Sequence, residues 1–285
     1  MQNNQTNNQP ASFHDATGPI KFTLRNDMMF HCAMQRSNRA LKGLVCALKG
    51  LDPTTVKEVL LTNPIDYSEY ANKEIILDVR VLLNNDEIID IELQLYYDDD
   101  WEERSLLYLC RSFDSLDVGE QYHLLKPTTL IVITDRNLFS AYPEFYSHYA
   151  LLNVENYQPY SSMLGINVLY LNHTDLATPN DEANDLLYWA RLFQATTWEE
   201  LKDLSTHDPA FEEVATVMYN SNIQSEEKTI MEAHQRYLGM KNSLIHSLSK
   251  AEKKIETLTS ENESLTSENE RLKALLTQAG ISIDK

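Results

Sequence analysis

The stretch 73–95, KEIILDVRVLLNNDEIIDIELQL, holds the side chains of this sequence whose types and spacing could do chemistry. Apolar and polar residues alternate in both halves of the stretch, and this pattern predicts two strands that each have one apolar and one polar face. The linking residues Asn84-Asn85-Asp86 favour a tight turn, because Asn and Asp tolerate left-handed backbone angles. The stretch therefore predicts a β-hairpin with acidic side chains on its polar face.

The register of the hairpin decides which acids face each other. A hairpin centred on Asn85 places Asp78 opposite Glu92, whereas a shift of two residues places Asp78 opposite Asp90 or Gln94. Opposed carboxylates repel each other, and burial raises their pKa, unless a cation or a proton is shared between them. A hard divalent cation such as Mg²⁺, which prefers oxygen ligands, would relieve this repulsion. A polar face that simply contacts water is the alternative interpretation.

Composition narrows the class of protein. The 285 residues carry a formal charge of −19, which argues against a protein that coats nucleic acid nonspecifically. Cations nevertheless predominate between residues 21 and 57, where only Asp27 and Asp52 oppose Lys21, Arg25, Arg36, Arg39, Lys42, Lys49 and Lys57.

The cysteines and the hydropathy of the sequence indicate the cellular compartment in which we expect the protein. Cys32, Cys46 and Cys110 form an odd, widely spaced set, which predicts reduced thiols in an intracellular protein. The first ten residues lack the features of a signal peptide, and no apolar run reaches the ~18 residues of a membrane span. We expect a soluble, cytoplasmic protein.

The remaining periodicities predict the elements around the hairpin. We expect helices after Asn26 and after Ser37, a short strand at 56–61, and a helix from Trp101 whose apolar face is Leu106, Leu107, Cys110, Phe113 and Leu116. The run TTLIVIT at 128–134 predicts a strand buried on both faces. A helix at 142–151 and a strand at 167–171 would extend this α/β unit, whose core order is α-β-β-β-α-β with a mixed sheet.

The pattern after residue 175 is helical. It predicts helices at 181–194, with an apolar face of Leu186, Leu187, Ala190 and Phe193, at 197–204, which opens with the capping sequence T-W-E-E, and at 211–219. The segment 241–278 then shows heptads, with positions a and d occupied by Leu244, Leu248, Ile255, Leu258, Asn262, Leu265, Asn269, Leu272 and Leu276. Asn at position a favours parallel dimers, so we expect a homodimer through residues 244–276. A single exposed helix is the alternative.

Several motifs together resemble a known family. The sequences Leu77-Asp78-Val79 and Ile91-Glu92-Leu93-Gln94, set in an α-β-β-β-α-β order, resemble the PD-(D/E)XK nuclease superfamily. The likeness to its recombination-promoting nuclease (Rpn) and transposase branch is closer and covers most of residues 22–245. It rests also on the segments 26–30 (NDMMF), 103–108 (ERSLLY) and 119–127 (GEQYHLLKP).

This resemblance implies metal-dependent cleavage of DNA. Asp78 and Glu92 would hold Mg²⁺, or Mn²⁺ in its place, together with the main-chain carbonyl of Leu93. Gln94 stands where the superfamily usually has Lys, although Gln is usual in this branch, and its amide can orient water or phosphate but cannot act as a general base. Asp27 is either a third acid, ligating through water, or the N-cap of the first helix.

The cations have expected roles as well. Arg36, Arg39 and Lys42 are candidate DNA contacts. Arg104 would contact phosphate or neutralise an acid of the site, and a buried Glu–Arg pair is the alternative. The expected organisation is a disordered tail at 1–19, a restriction-endonuclease-like domain at 20–175, a helical region at 176–240, a coiled coil at 241–278 and a tail at 279–285. A catalytically silent DNA-binding or scaffold protein is the alternative to an active endonuclease.

Overall fold

The structure, a computed structural model, describes residues 12–65, 78–95, 100–139, 141–223 and 225–280. By its internal contacts the chain forms two units, Met1–Met231 and Glu232–Lys285.

The first unit is built on a mixed sheet that has six strands within the described residues. In chain order the strands are β1 (Val59–Leu61), β2 (Val79–Leu83), β3 (Glu87–Gln94), β4 (Thr128–Thr134), β5 (Tyr146–Ala150) and β6 (Leu164–Tyr170). Their order across the sheet is β1-β2-β3-β4-β6-β5. Strands β3, β4 and β6 are parallel, whereas β1 with β2, β2 with β3 and β5 with β6 pair in antiparallel fashion.

Helices precede, interrupt and follow these strands along the chain. They are α1 (Asp27–Arg36), α2 (Asn38–Lys49), α3 (Trp101–Phe113), α4 (Pro179–Ala183), α5 (Leu186–Gln194), α6 (Trp198–Ser205), α7 (Pro209–Ile223) and α8 (Ser225–Gln278). Short 3₁₀ helices lie at Tyr122–Leu124 and Leu171–Leu176. The elements follow the predicted order, with the two predicted helices α1 and α2 before β1-β2-β3, then α3 and β4. The mixed α/β class with a helical C-terminal region is confirmed.

The hairpin of β2 and β3 has the register that was expected from a loop centred on Asn85. Val79 pairs with Ile91 and Arg80 pairs with Asp90. Asn84 and Asn85 adopt left-handed backbone angles, with φ of 49° and 60°, as a tight hairpin turn requires. The start of the predicted first arm, residues 73–77, lies outside the described residues.

A hydrophobic core lies on each face of the sheet. On one face Ile89, Ile91 and Ile131 join the main core, in which α1, α2, α5, α6 and α7 bury their apolar side chains. On the other face Trp101 and Leu109 of α3 join a smaller cluster with side chains of β4 and β6. All residues of β4 are buried, as predicted for a strand covered on both faces. The polar face of β3 therefore lies against α3.

The predicted apolar face of α3 is wrong. Leu106 and Leu107 are 56% and 47% exposed, and Cys110 is exposed, whereas the buried residues are Trp101, Ser105, Leu109 and Ser112. The sheet surface beneath α3 carries acidic and amide side chains, so it is matched by small and polar residues. Apolar periodicity alone therefore selected the outer face.

Two local predictions in the second half of the α/β unit are also wrong. The expected helix at 142–151 is instead the edge strand β5, whose aromatic and small residues pair with β6. The expected single helix at 181–194 is split into α4 and α5, because Asp185 adopts a left-handed backbone angle between them. The predicted apolar face of Leu186, Leu187, Ala190 and Phe193 is buried nonetheless.

The main core also involves both ends of the first unit. Residues 1–11 of the expected N-terminal tail lie outside the described residues, but Phe13 and Ala16 are buried in the core. Ala190 of α5 and Val214 of α7 lie in the same cluster as Ile91 of the hairpin. The helices that follow β6 thus share one core with the sheet, and the chain is packed from before residue 20.

In the second unit, α8 runs as a continuous helix to Gln278. Its heptad residues are exposed, from 37% at Leu276 to 63% at Leu244 and Ile255. Within the part of the chain that the structure describes, no helix is long and apolar enough to cross a membrane.

Candidate functional site

The candidate site lies where the two arms of the hairpin differ in length. β2 begins at Val79, opposite Ile91, so β3 continues past the start of β2 through Glu92 to Gln94. Asp78 immediately precedes β2, and the register of the hairpin places it beside Glu92. The structure therefore brings Asp78, Glu92 and Gln94 together at the carboxyl end of β3.

Asn63 fixes the backbone at Asp78. The Asn63 side chain donates from Nδ2 to the carbonyl oxygen of Asp78 (2.8 Å), and its Oδ1 accepts from the backbone N–H of Arg80 (2.9 Å). The main-chain carbonyl of Asn63 accepts from His31 Nε2 of α1 at 3.2 Å. Burial lowers the pKa of His31 to about 4, so the ring is neutral near pH 7 and donates from this nitrogen. The contact of Asn63 with Asp78 was not predicted from the sequence. The signal for it was an Asn that follows a strand and precedes Pro64.

Arg104 of α3 contacts the two polar residues at the end of β3. Its Nη2 lies 3.2 Å from Glu92 Oε1 and 2.7 Å from Gln94 Oε1. The guanidinium also lies over the rings of Trp101 and Tyr108, with its central carbon 5.0 and 5.6 Å from their centroids. The structure thus pairs Arg104 with Glu92, a contact that agrees both with a role in the site and with a structural Glu–Arg pair.

A second pair of an arginine and a carboxylate lies on the same face of the hairpin, two residues before Glu92 in β3. Arg80 donates from Nε and Nη2 to the two carboxylate oxygens of Asp90, at 2.8 and 3.2 Å. Ser112 of α3 bonds to Asp90 and accepts from Arg80 Nη2 at 2.7 Å. The sequence analysis did not assign this network, although the register that opposes Asp78 to Glu92 also opposes Arg80 to Asp90.

Burial and like charge raise the proton affinity of the site. Burial raises the pKa of Glu92 to about 7, with Arg104 acting in the opposite direction and the charge of Asp78 adding to the rise. The pKa of Asp78 is also raised, first by burial and then by the charge of Asp90. These carboxylates therefore gain from a nearby cation more than solvent-exposed carboxylates would.

Asp27 is not the N-cap of α1, because Asn26 occupies that position and its side chain accepts from the N–H of Met29. Asp27 is the first residue of the helix. This end of α1 lies near the carboxyl end of β4, since Arg25 forms an ion pair with Asp135, which directly follows Thr134. Burial raises the pKa of Asp27 to about 6.

The acids fit a divalent cation in their chemistry. Asp27 Oδ1 and Asp78 Oδ1 are buried and have no hydrogen-bond partner among the described residues. A buried carboxylate oxygen without a donor is costly unless a cation or water satisfies it. No three His, Cys, Asp or Glu side chains in the described ranges converge as a ready-made metal site, and Glu92 is held by Arg104. Arg104 contacts Oε1 of Glu92, so a metal ion bound to that oxygen would replace this partner.

The other predicted DNA contacts lie elsewhere. Arg39 forms an ion pair with Glu213 of α7 at 3.4 Å, and Lys42 donates to the carbonyl oxygen of Val56 at 2.8 Å. Arg36 and Arg39 line a shallow depression together with Glu213. These cations belong to α1 and α2, on the opposite face of the sheet from α3, so the structure does not bring them together with Asp78 and Glu92.

Two further cations of the basic segment are paired with acids from elsewhere in the fold. Arg25 pairs with Asp135, and Lys49 pairs with Glu87 at 2.6 Å. These acids offset part of the excess of cations in this stretch of sequence.

Carboxylates at the end of a β-hairpin, packed against a helix of a mixed α/β fold, are the arrangement that defines PD-(D/E)XK nucleases as a class. A comparison with protein families agrees, since the model described as "PD-(D/E)XK nuclease family transposase" matches residues 24–247. The chain belongs to this family. Membership implies phosphodiesterase activity on DNA in the processes of mobile elements. No curated protein and no solved structure shows a significant match to the chain.

Proposed function

We propose that this protein is a divalent-metal-dependent DNA endonuclease of the Rpn type, and that it acts as a homodimer. The observation that carries the proposal is the meeting of Asp78 and Glu92 on the polar face of the hairpin, with Asp78 Oδ1 buried and lacking a hydrogen-bond donor in the described residues. Carboxylates in this state suit a hard cation that also binds phosphate.

Asp78, Glu92 and the main-chain carbonyl of Leu93 are the proposed ligands of Mg²⁺, and Asp27 would reach the ion through water. When bound, such an ion lowers the pKa of water and offsets charge on the phosphate. The side chain of Leu93 packs against the main core, which fixes the backbone between Glu92 and Gln94. These residues would hold the ion at the carboxyl end of β3.

Gln94 is proposed to orient the substrate. Its Oε1 accepts from Arg104 at 2.7 Å, and an amide NH₂ group is a donor suited to a phosphate oxygen or a water molecule. An amide does not accept a proton near neutral pH, so proton removal from the attacking water falls to another group, such as a phosphate oxygen. Arg104 supplies a guanidinium, which matches the geometry of phosphate.

DNA contacts outside the site are proposed at Arg36, Arg39 and Lys42. The ion pair of Arg39 with Glu213 must open for Arg39 to reach a phosphate. Because the whole chain has a formal charge of −19, electrostatic attraction to DNA must come from local cations of this kind and from a bound metal ion, so binding should weaken with salt.

The homodimer is proposed to form through a parallel coiled coil of α8. Leucines at heptad positions, such as Leu258, Leu265 and Leu272, are exposed in the single chain and would be covered in the dimer. Asn262 and Asn269 at position a favour a parallel, in-register pair. In that register Glu268, at position g of one copy, faces Lys273, at position e of the other copy.

A catalytically silent DNA-binding or scaffold protein is the second candidate. It is favoured by the pairing of Arg104 with Glu92, which satisfies this acid in the absence of any metal. The two candidates make opposite predictions for cleavage and similar predictions for DNA binding.

Nicking of a supercoiled plasmid tests the proposal. The full chain is incubated with Mg²⁺, with Mn²⁺ or with a chelator, and is compared with Asp78→Ala and Glu92→Ala; Asp114→Ala, an exposed acid at the end of α3, is the matched control. We expect metal-dependent nicking that both site variants lose and the control retains. DNA binding without nicking under all conditions would support the silent protein instead.

A further inference from the structure

Arg104 occupies the position where a cation is needed in the candidate site. A single nitrogen, Nη2, contacts both Glu92 and Gln94, and the Arg104 side chain keeps 32% of its surface exposed. Glu92 is more deeply placed, with 16% of its side chain exposed. The guanidinium therefore neutralises the inner acid from the solvent side.

The neighbouring pair of Arg80 and Asp90 is held differently. Two nitrogens of Arg80 bond to the two oxygens of Asp90, and Ser112 bonds to both residues. A bidentate pair with a third partner is fixed in geometry. Arg104 meets Glu92 through one hydrogen bond of 3.2 Å, so this pair is less constrained in geometry than the bidentate pair of Arg80 and Asp90.

The aromatic rings next to Arg104 give it a second place to lie. Trp101 is buried and anchors the start of α3, and its ring and that of Tyr108 both lie within cation–π distance of the guanidinium. A guanidinium that leaves Glu92 can remain on these rings near the end of β3. Its charge then stays close to the site while its hydrogen-bond donors become accessible.

We propose that Arg104 is an exchangeable counter-ion that competes with the divalent metal for Glu92 and is displaced when the metal binds. This inference rests on the proposed metal-dependent function of the site. A divalent cation bound to Glu92 repels a guanidinium on the same carboxylate, so each occupant weakens the binding of the other. The exchange weakens metal binding, and it releases the guanidinium for a phosphate group only after the metal has arrived.

Calorimetric titration of the full chain with Mn²⁺ alone tests the competition without any cleavage reaction. Arg104→Met removes the charge and leaves a flexible apolar side chain that can pack on Trp101 and Tyr108. We expect the Mn²⁺ dissociation constant to fall about tenfold, because the metal no longer has to replace a charge-assisted hydrogen bond. Arg104→Lys, which keeps a cation near Glu92, should bind Mn²⁺ about as the wild type does.

Arg111→Met is the matched control, because Arg111 is exposed on the same helix. If Arg104→Met and Arg111→Met bind Mn²⁺ with the same affinity, or if Arg104→Met binds it more weakly, the competition is refuted while the metal site stands. If the wild type and all variants fail to bind Mn²⁺, the proposed metal-dependent function is overturned together with the inference.

Modification of the wild-type chain by phenylglyoxal, an arginine-specific reagent, provides a test that needs no variant. We expect Mn²⁺ to increase the rate of modification at Arg104 several-fold and to leave the rate at Arg111 unchanged, as followed by mass spectrometry of peptides. A rate at Arg104 that is unchanged or lower at saturating Mn²⁺ would overturn the displacement.

Discussion

Replacing Glu92 with Gln should change how the stability of the metal-free protein depends on pH. Burial raises the pKa of Glu92 from 4.5 to about 7, so between these values the folded state holds a proton that the unfolded state has released. The free energy of unfolding must therefore fall as the pH rises through this window. The full shift corresponds to a loss of about 3 kcal/mol, all of it present once the pH exceeds the folded-state value.

Gln has the shape of protonated Glu and cannot ionise, so Glu92→Gln removes this loss. Near pH 5 we expect the variant and the wild type to have similar free energies of unfolding, and near pH 8 we expect the variant to be about 2–3 kcal/mol more stable. Other groups with a raised pKa, such as Asp27, titrate in both proteins and cancel in the difference.

The measurement is urea denaturation of both proteins in chelator at the two pH values. Glu102→Gln, which removes an exposed carboxylate from the first turn of α3, controls for the change in net charge. If the stability difference between Glu92→Gln and the wild type is the same near pH 5 and near pH 8, Glu92 does not carry the expected burial penalty. The argument that a cation is required there would then fail.

Three further predictions concern other parts of the molecule. Truncation before Ile255 should convert the proposed dimer into a monomer in sedimentation velocity, because most of the exposed heptad leucines are removed; a persisting dimer would place the interface elsewhere. Replacing Arg36, Arg39 and Lys42 with Gln should weaken DNA binding and lower its salt dependence by up to about 0.9 for each phosphate that the variant no longer neutralises; an unchanged slope would remove these residues from the DNA interface. Asp90→Asn should lower the free energy of unfolding by about 2 kcal/mol, because the half-exposed Arg80 loses its bidentate partner; an unaltered denaturation midpoint would show that the network is dispensable for folding.

The sequence predicted the centre of the fold well because its signals are local. Alternation in β2 and β3, the paired Asn residues of the turn and the buried run of β4 each define a strand and its register without reference to distant residues. Helices α1 and α2 were likewise predicted by periodicity and capping.

The errors in the predicted fold arise where contacts between distant parts of the chain determine the local structure. The inner face of α3 was misassigned because it packs Ser105 and Ser112 against a polar sheet surface that the helix sequence alone does not reveal. Strand β5 lies at the edge of the sheet, and its pairing with β6 has no signature in a short aromatic segment. The left-handed angle at Asp185 splits a periodic helix pattern that continues across it.

The acids of the site could be predicted because register follows from the turn. The contacts of Asn63 with Asp78 and of Ser112 with Arg80 could not, since Asn63 and Ser112 come from separate segments that reach the hairpin only in the folded chain. The charge of the basic segment could not be judged from the sequence either. Its cations look unopposed there, but acids distant in sequence, such as Asp135 and Glu213, neutralise some of them in the folded chain.

Anomalous diffraction from crystals of the full chain soaked in Mn²⁺ would test the central claim most directly, because it locates the ion. We expect a peak at the carboxyl end of β3, within ligand distance of the Asp78 and Glu92 carboxylates and with Arg104 turned away from Glu92. A peak bound by other residues, or no peak in a protein that nicks DNA with Mn²⁺ in solution, would contradict the assignment of these two acids as the metal site.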